Sequence, residues 1–391
     1  MTRLVYLDNA ATTPVRPEVR EAMAPFFDDR LFGNPSSGHR AGRAAKDALE
    51  GARRTLATLL GTDSANVVFT SGGTEADNLA VLGAALRARE EGRPFLVAVV
   101  SSEHKAVLDA AHAVERFGGE ALFLPVDTDG RVNSSAVATA LASGPAVLSA
   151  MWVNNETGVV QNVAHLATLA GEAGVPYHTD AVQAIGKVPC AMSHGPITLL
   201  SISGHKIGAP KGIGALVASK DNLLEPLLHG GGQQRGVRPG TENVAFAIGL
   251  ATAAELIVTE LDQTSAATRR LRDTLEDSIL AAIPDAQVTG RPGDRAPHIS
   301  NLTFGGADAG TVLTHLDLAD IACSSGSACN TGSPTPSHVL TAMGLDDSLA
   351  AASVRFSFSK SNTLDDVDRV MEVLPQAVEK ARAVAKRLGR T

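Results

Sequence analysis

Short apolar runs alternate with longer helical patterns through the first 260 residues of the chain. The apolar runs lie at Asn66–Thr70, Phe95–Val100, Ala146–Val153, Val175–Asp180 and Ile197–Ser203. Helical patterns follow three of them, from about Thr74 to Glu91, near His104–Phe117 and near Val163–Ala173. This alternation predicts βαβ units and an α/β fold with a mostly parallel sheet. Functional residues are then expected in the loops at the carboxyl ends of the strands.

The pattern changes after about Glu260. A charged helix near Leu261–Ile283 is followed by the segment HISNLTF and later by the segment SVRFSFS. The last pattern is an amphipathic helix over roughly Leu364–Leu388. We therefore expect a second, smaller α+β domain after the α/β domain.

Composition restricts the class of protein. The chain has 391 residues, a formal net charge of −8 and 4% aromatic residues, which argues against direct nucleic-acid binding. No apolar run reaches the roughly 18 residues that cross a bilayer, and the first residues lack the apolar stretch of a signal peptide. We therefore expect a cytoplasmic protein without a membrane partner.

The chain has three cysteines, Cys190, Cys323 and Cys329. Three cysteines cannot form a disulfide framework, and their spacing does not match a structural zinc site, so we predict reduced thiols and no metal. Cys190 and Cys323 are interpreted as packing residues. Cys329 differs, because the Ser/Gly and Gly/Ser/Pro/Thr runs around it favour a loop.

The segment VVFTSGGTEADN (Val67–Asn78) predicts a strand, a glycine turn and a helix that begins at Thr74. Free N–H groups at such a helix start suit a phosphate. The segment contains neither a dinucleotide fingerprint nor a Walker loop. A plain βα turn with a threonine cap fits the same residues, and the segment by itself does not decide between the two.

Two further strand ends carry charged residues. Asp180 lies in HTDAVQ, and Lys206 follows the next strand in the turn SGHK. Taken singly, each would more often be a structural aspartate or a surface lysine. Together with the phosphate turn they meet the needs of pyridoxal phosphate, which requires a lysine for a Schiff base, an acid for the pyridinium nitrogen and a phosphate site.

The chain resembles the cysteine desulfurases of the NifS/IscS type, in the class V aminotransferase group, over essentially its full length. The resemblance is carried by the ordered segments YLDNAATTP, FGNPSS, TSGGTEADNLA, EHKAVL, NNETGVVQ, HTDAVQ, SGHKIGAPKGIGAL, HGGGQQRGVRPGTEN, SSGSAC and SVRFSFS. It implies the fold type I of pyridoxal-phosphate-dependent transferases, with a seven-stranded, mostly parallel sheet flanked by helices. It also implies a large cofactor-binding domain over 15–260, and a small domain that combines 1–14 with 261–391 and carries the cysteine loop at about 323–336.

The resemblance implies roles for four residues around the cofactor ring. Lys206 would form the Schiff base, and Asp180 would pair with the pyridinium nitrogen. His104 would stack on the ring and assist proton transfer. Gln183 would contact the ring hydroxyl.

The resemblance also assigns residues to the cofactor phosphate. Those expected to bind it within one subunit are Gly73, Thr74, Ser203 and His205. Thr241, in RPGTEN, would reach the phosphate of a neighbouring subunit. This last role implies a homodimer.

The substrate implied by the resemblance is L-cysteine. Asn155 and Arg355 would hold its carboxylate, since a planar guanidinium suits a bidentate carboxylate contact. Lys206 would remove the Cα proton, and Cys329 would attack the substrate sulfur, which leaves L-alanine and a persulfide. The glycine- and serine-rich loop would let Cys329 carry the persulfide to acceptors such as an iron–sulfur scaffold protein and tRNA thiolation proteins.

Three other functions share parts of this pattern. Selenocysteine lysis and transamination would use the same cofactor, and transamination would not need Cys329. A sulfur-assembly scaffold with a vestigial cofactor fold would not need Lys206, Asp180 or Arg355. Loss of sulfide release in a Cys329→Ser variant would separate the desulfurase from a transaminase.

Overall fold

The computed structural model describes residues 3–291, 293–325 and 336–387. The strands, in chain order, are β1 (Val5–Tyr6), β2 (Val67–Thr70), β3 (Leu96–Val100), β4 (Glu120–Leu124), β5 (Leu148–Ser149), β6 (Tyr177–Asp180), β7 (Leu199–Ser203), β8 (Gly214–Ala218), β9 (Ala286–Val288), β10 (Ile299–Phe304), β11 (Ile321–Ala322) and β12 (Ser353–Ser357). The α-helices are α1 (Pro17–Met23), α2 (Arg40–Leu60), α3 (Gly73–Asn78), α4 (Ala84–Glu90), α5 (Lys105–Arg116), α6 (Ser134–Leu141), α7 (Val163–Glu172), α8 (Val244–Thr259), α9 (Leu261–Ala282), α10 (Ala309–Asp317), α11 (His338–Ala342), α12 (Asp347–Ala351) and α13 (Leu364–Arg387). A π-helical turn at Leu79–Gly83 joins α3 to α4, and short 3-10 helices lie at Ala24–Phe26, Ser64–Asn66, Met192–His194, Gly204–Lys206 and Gln233–Gly236.

The central sheet has seven strands in the order β2-β8-β7-β6-β5-β3-β4. The pairs from β7 across to β4 are parallel, whereas β8 runs antiparallel to both β2 and β7. All residues of β3 and β7 are buried, as expected for strands covered on both faces by helices. The predicted α/β fold with a mostly parallel, seven-stranded sheet is confirmed.

Two strands of the central sheet were not predicted from the sequence, and a third is shorter than predicted. β4 is mostly half-exposed, and β8 begins at Gly214, where a Cβ would lie 2.6 Å from the backbone carbon of Gly72. Glycine at that close approach hides the strand pattern. The run at Ala146–Val153 narrows to β5, because the chain turns at Asn154, whose side-chain oxygen accepts a hydrogen bond from the N–H of Glu156.

Helices cover the faces of the sheet, and α2 shows how the sequence builds one of them. His39 caps its start, since the Nδ1 atom accepts a hydrogen bond from the N–H of Gly42 at 3.2 Å. Gly61 ends it in the left-handed conformation, with φ at 66°. Side chains spaced three or four residues apart form one buried face, which includes Ala45, Leu49, Ala52, Leu56 and Leu60.

A second group of elements has a buried apolar cluster of its own. β12, β10 and β9 form a three-stranded antiparallel sheet, and α10 packs against α13. Members of the cluster include Leu275, Ile279, Phe304, Phe356 and Leu374. Val5 and Leu7 join the cluster from the N-terminal segment, and β1 pairs in parallel with β11. The division of the chain into domains at residue 260 stays a prediction.

α8 and α9 follow each other with a bend of 71°. α8 is apolar around its circumference, as expected for a helix that packs between two others, α1 and α2. Its residues Leu250, Ala253 and Ala254 are fully buried. Within the described ranges, no single helix is long and apolar enough to cross a membrane, and α8 and α9 reach that length and composition only as a bent pair.

Candidate active site

A cavity of about 370 Å³ lies between the carboxyl ends of the central strands and the N-terminal residues Ala10 and Ala11. The predicted site residues that line it are Gly73, Thr74, His104, Asn155, Asp180, Gln183, Ser203, His205, Lys206 and Arg355. Thr241 is exposed and does not line this cavity. Cys329 lies outside the described residues. The cavity therefore contains residues from five separate loops, as expected for a site at the carboxyl ends of the strands.

Lys206 ends the short 3-10 helix that follows β7. Its Nζ donates hydrogen bonds to the carbonyl oxygens of Ala10 and Ala11, at 2.7 Å each. Thr13 ties the same two segments together, since its N–H and its hydroxyl donate to the carbonyl of His205 at 2.9 and 3.0 Å. The N-terminal segment thus fixes the position of the Lys206 amine at the cavity.

Three carboxyl groups are buried close to one another at the strand ends. Asp180, Asp77 and Glu103 are 5%, 1% and 0% exposed. Burial raises the pKa of each, and the charge of Asp180 raises the pKa of the other two further. The N–H of Val182, which donates to Oδ1 of Asp180 at 2.8 Å, and the positive charge of Lys206 counteract the rise at Asp180. The neutral acid is therefore favoured at Asp77 and Glu103, and Asp180 is the residue of the three whose pKa is lowered by a nearby lysine.

His178 is a buried link between the strands under this cluster. Its Nδ1 and Nε2 atoms lie 2.9 Å from the hydroxyls of Ser149 and Ser201. Burial lowers its pKa to about 3, so the ring is neutral. This environment matches a structural side chain rather than an acid or base.

His104 is held by the helix that it begins. Its Nδ1 accepts a hydrogen bond from the N–H of Ala106 at 3.1 Å, which places the proton of the neutral ring on Nε2. Burial lowers its pKa, so the neutral ring is favoured. His338 lines the same cavity and donates from Nε2 to the carbonyl of Glu103 at 2.9 Å.

A second cavity, of about 450 Å³, adjoins the first and shares with it Gly73, Thr74, Ser203 and His205. Glycine is needed at Gly73, because a Cβ there would lie 2.9 Å from Cγ2 of Val182. Burial, followed by the charges of Lys206 and Lys211, lowers the pKa of His205 to about 4. This neutral ring beside lysines and a glycine turn provides a suitable surface for an anion.

Arg355 crosses the opposite side of the cavity and is 2% exposed. Its Nη1 donates to the carbonyl of Asn155 at 2.7 Å, and its Nη2 donates to Oδ1 of Asp8 at 2.8 Å. Its Nε and the Oδ1 of Asn155 are buried without a hydrogen-bond partner among the described residues. These two atoms are available to a ligand, since buried polar atoms normally have partners.

The chain on each side of residues 326–335 is attached to this cavity. Before that segment, Ser324 pairs with Arg355 through backbone hydrogen bonds of 3.1 and 2.6 Å. After it, His338 lies in the cavity wall. Cys329 is five residues beyond Ser324, so a fully extended chain would reach at most about 17 Å.

Four residues of this site were not singled out in the sequence. Asp77, Glu103 and His338 line or underlie the cavity, and Asp8 pairs with Arg355. Asp77, Glu103 and Asp8 do stand inside segments that carry the resemblance, namely TSGGTEADNLA, EHKAVL and YLDNAATTP. His338 follows the cysteine loop by a few residues, and its position there is the one signal that could have identified it.

These groups fit pyridoxal phosphate. The cofactor requires a lysine amine, a buried acid and an anion site, and the cavity has Lys206, Asp180 and the glycine turn before Thr74 in those capacities. The unpartnered Asn155 Oδ1 and Arg355 Nε add a place for a substrate carboxylate and amine to bind.

Comparisons with known proteins agree with this chemistry. Residues 5–370 match the family model described as aminotransferase class-V. A cysteine desulfurase of Gluconacetobacter diazotrophicus is 46% identical over 97% of this chain and 95% of the relative. An IscS-like cysteine desulfurase of Mycobacterium tuberculosis is 43% identical over 98% of both chains. Among solved structures, a NifS-like protein superposes with a TM-score of 0.87 at 31% identity, covering 98% of this chain and all of that one.

These relatives do not favour selenocysteine lysis, transamination or a scaffold role, because both named relatives are cysteine desulfurases. They match the chain along its length rather than in one segment. The chain therefore belongs to the aminotransferase class-V family, in which it is a pyridoxal-phosphate-dependent cysteine desulfurase.

Proposed function

We propose that this cavity binds pyridoxal phosphate and L-cysteine side by side, and that Cys329 receives the substrate sulfur. The observation that carries the proposal is the attachment of both ends of 326–335 to the cavity wall, through Ser324 on Arg355 and through His338. Cys329 lies within that segment, five residues after Ser324, and so short a span of chain supports delivery of its sulfur to the cavity.

The two other thiols are poor candidates. Cys190 and Cys323 pack against apolar clusters, and burial raises the pKa of each. A thiol must lose its proton before it attacks sulfur, so a raised pKa lowers its reactivity.

Each residue around the cofactor would have a separate role. Lys206 would hold the cofactor, and Asp180 would stay ionised beside its pyridine nitrogen. Gln183 would contact the ring hydroxyl, and His104 would lie against the ring with its Nε2 proton available. The phosphate would be bound at the turn formed by Gly73, Thr74, Ser203 and His205. Bound pyridoxal phosphate supplies a sink for the negative charge that develops at the substrate Cα.

Asn155 and Arg355 would orient the substrate carboxylate, and the Lys206 amine would take the Cα proton. The thiolate of Cys329 would then form a bond to the substrate sulfur while the Cβ–S bond breaks. The electron pair of the broken bond and a proton end on the carbon, which gives L-alanine. The persulfide stays on Cys329 with no external oxidant or reductant.

We also propose that the enzyme is a homodimer in the cytoplasm, with Thr241 of each chain reaching the phosphate of the other. Thr241 is exposed and does not line the cavity of its own chain, which supports this role. The persulfide would pass to acceptor proteins, such as an iron–sulfur scaffold.

The test is intact-protein mass spectrometry after exposure to L-cysteine, with L-alanine quantified in the same sample. The wild-type protein should gain one sulfur and release a matching amount of alanine. Cys329→Ser should bind the cofactor with unchanged visible absorption and gain no sulfur.

Cys323→Ser is the matched control, since it removes a thiol six residues away in the sequence. It should keep both the sulfur adduct and alanine release. An adduct that persists in Cys329→Ser and disappears in Cys323→Ser would assign the nucleophile to Cys323 instead.

A further inference from the structure

His298 is a buried histidine that contacts the cofactor site through Gln183. It is 1% exposed and precedes β10, in the second group of elements. Its Nε2 lies 3.2 Å from Oε1 of Gln183. The Nε2 of Gln183 donates to the carbonyl oxygen of Ala10 at 2.8 Å, and that oxygen also accepts from Lys206 Nζ at 2.7 Å.

The hydrogen-bond partners determine both the amide orientation and the imidazole tautomer. The carbonyl of Ala10 can only accept, so the amide nitrogen of Gln183 must face it. The amide oxygen of Gln183 then faces His298, and Nε2 of His298 must carry the proton. Nδ1 has no hydrogen-bond partner among the described residues. Because Nδ1 carries no proton in this tautomer, no N–H group of the ring is left buried without an acceptor.

The backbone around His298 is tied to distant elements. The N–H of Phe358, just after β12, donates to the carbonyl of His298 at 2.8 Å. Nη1 of Arg272, on α9, donates to the carbonyl of Ala296 at 2.8 Å. Burial, followed by the charges of Lys187, Arg272 and Arg355, holds the pKa of His298 well below its usual range, so a neutral ring is expected at neutral pH.

We propose that His298 is a positioning residue for the cofactor: its Nε2–H fixes the Gln183 amide so that Gln183 presents an N–H, and never its oxygen, to the cofactor ring. The inference rests on the proposed contact between Gln183 and the ring hydroxyl. If the amide turned over, its oxygen would face the oxygen of the ring hydroxyl and the carbonyl of Ala10 would lose a donor. The same carbonyl binds Lys206, so the amine that carries the cofactor and the amide that contacts it share one acceptor.

The first test compares His298→Leu, which has no donor, with His298→Gln, whose amide nitrogen reaches the position of the imidazole Nε2. Cofactor affinity and the visible absorption maximum of the bound cofactor are measured on purified holoenzyme resolved and reloaded with pyridoxal phosphate. His298→Leu should bind the cofactor roughly five- to tenfold more weakly, the size of one neutral hydrogen bond, with a shifted maximum. His298→Gln should restore both properties to near the wild-type values.

The Gln183→Met variant and the double variant Gln183→Met/His298→Leu separate this inference from the proposed function. If His298 acts through Gln183, the double variant should match Gln183→Met. If Gln183→Met shifts the absorption and His298→Leu does not, the positioning role is wrong and the Gln183 contact stands. If Gln183→Met leaves the cofactor unchanged, the contact itself is wrong, and the inference is wrong with it.

A measurement on the wild-type holoenzyme does not depend on how the variants fold. Nitrogen-15 NMR of histidine-labelled protein at pH 7.5 should show His298 as a neutral ring with its proton on Nε2. A proton on Nδ1, or a doubly protonated ring, would overturn the assignment of donor and acceptor.

Discussion

The two sides of the cavity differ in whether their buried ionisable groups have an ion-pair partner. On the strand-end side, Asp77, Glu103 and Asp180 are buried, and among the described residues no arginine or lysine forms an ion pair with any of them. On the other side, Arg355 is buried just as deeply but is already paired with Asp8 at 2.8 Å.

This difference indicates how each side meets its ligand. A cation would stabilise the strand-end side, because a positive pyridinium nitrogen would offset the free-energy cost of burying an ionised Asp180. The Arg355 side already has one carboxylate partner, Asp8, while Nε of the guanidinium has no partner among the described residues, so a substrate carboxylate would bind Arg355 in competition with Asp8 for the same positive charge. Binding of the cofactor is thus expected to be dominated by new charge pairing, and binding of the substrate by competition.

The largest effect is expected from removal of the amine that lies between the two sides. Lys206→Ala should abolish covalent retention of the cofactor and lower alanine formation by about 10³-fold or more, since the same amine serves as anchor and base. Visible absorption after gel filtration and a coupled alanine assay measure the two losses.

Lys105→Ala is the matched control, because Lys105 lines the same cavity. It should retain the cofactor. Borohydride reduction that labels Lys105 in the Lys206→Ala protein would show that the cofactor has an alternative anchor.

An intermediate effect is expected on the paired side. Arg355→Lys should raise the KM for L-cysteine by roughly 10- to 100-fold, with a smaller change in kcat, since an ammonium cannot reproduce the guanidinium fork. Steady-state kinetics with saturating pyridoxal phosphate measure the changes in KM and kcat separately.

Arg16→Lys provides the comparison. Arg16 donates two hydrogen bonds to the carboxylate of Glu260, with lengths of 3.0 and 2.7 Å, and it does not line this cavity. Its KM should equal that of the wild type. An equal rise in KM in both variants would mean that general destabilisation, rather than loss of a carboxylate contact, explains the Arg355 result.

The smallest effect is expected on stability and comes from the strand-end side. Burial keeps Asp77 protonated in the folded chain above the pH at which it ionises when unfolded, so the folded state binds more protons. The free energy of unfolding should therefore fall as pH rises from about 4 toward the folded pKa, by ~1.4 kcal/mol for each unit of the shift. Asp77→Asn removes this dependence.

Urea unfolding of apoenzyme at pH 5 and pH 8 checks the prediction. The fall in stability between the two values should be smaller in Asp77→Asn than in the wild type. An identical fall in both proteins would place the ionised form of Asp77 in the folded state.

Sequence patterns predicted part of the strand-end side, namely Asp180 and Lys206, because these two residues come from local signals. Asp180 and Lys206 each follow an apolar run, and the parallel sheet brings the ends of such runs together. β8 was missed because its first residue, Gly214, weakens the strand pattern, although a glycine is required there for the close approach to Gly72.

On the other side, Asn155 and Arg355 were expected through the resemblance alone. Sequence patterns could not predict the long-range contacts of the site, because these contacts join residues far apart in the chain. Asp8 and Arg355 are separated by 347 residues, and Gln183 and His298 by 115. No periodicity links such pairs, and only the path of the N-terminal segment across the second group of elements brings them together. The role of Cys329 likewise came from resemblance, and it stays a prediction.

The hydrogen bond from the N–H of Ala10 to the hydroxyl of Ser357, at 2.9 Å, has a consequence for biosynthesis. During translation the strand that secures the Lys206-anchoring segment emerges more than 340 residues after that segment. Closing so long a loop is entropically costly and slow. The nascent chain can thus form its central sheet on the ribosome, but the cofactor cavity is completed only after β12 has also been synthesised.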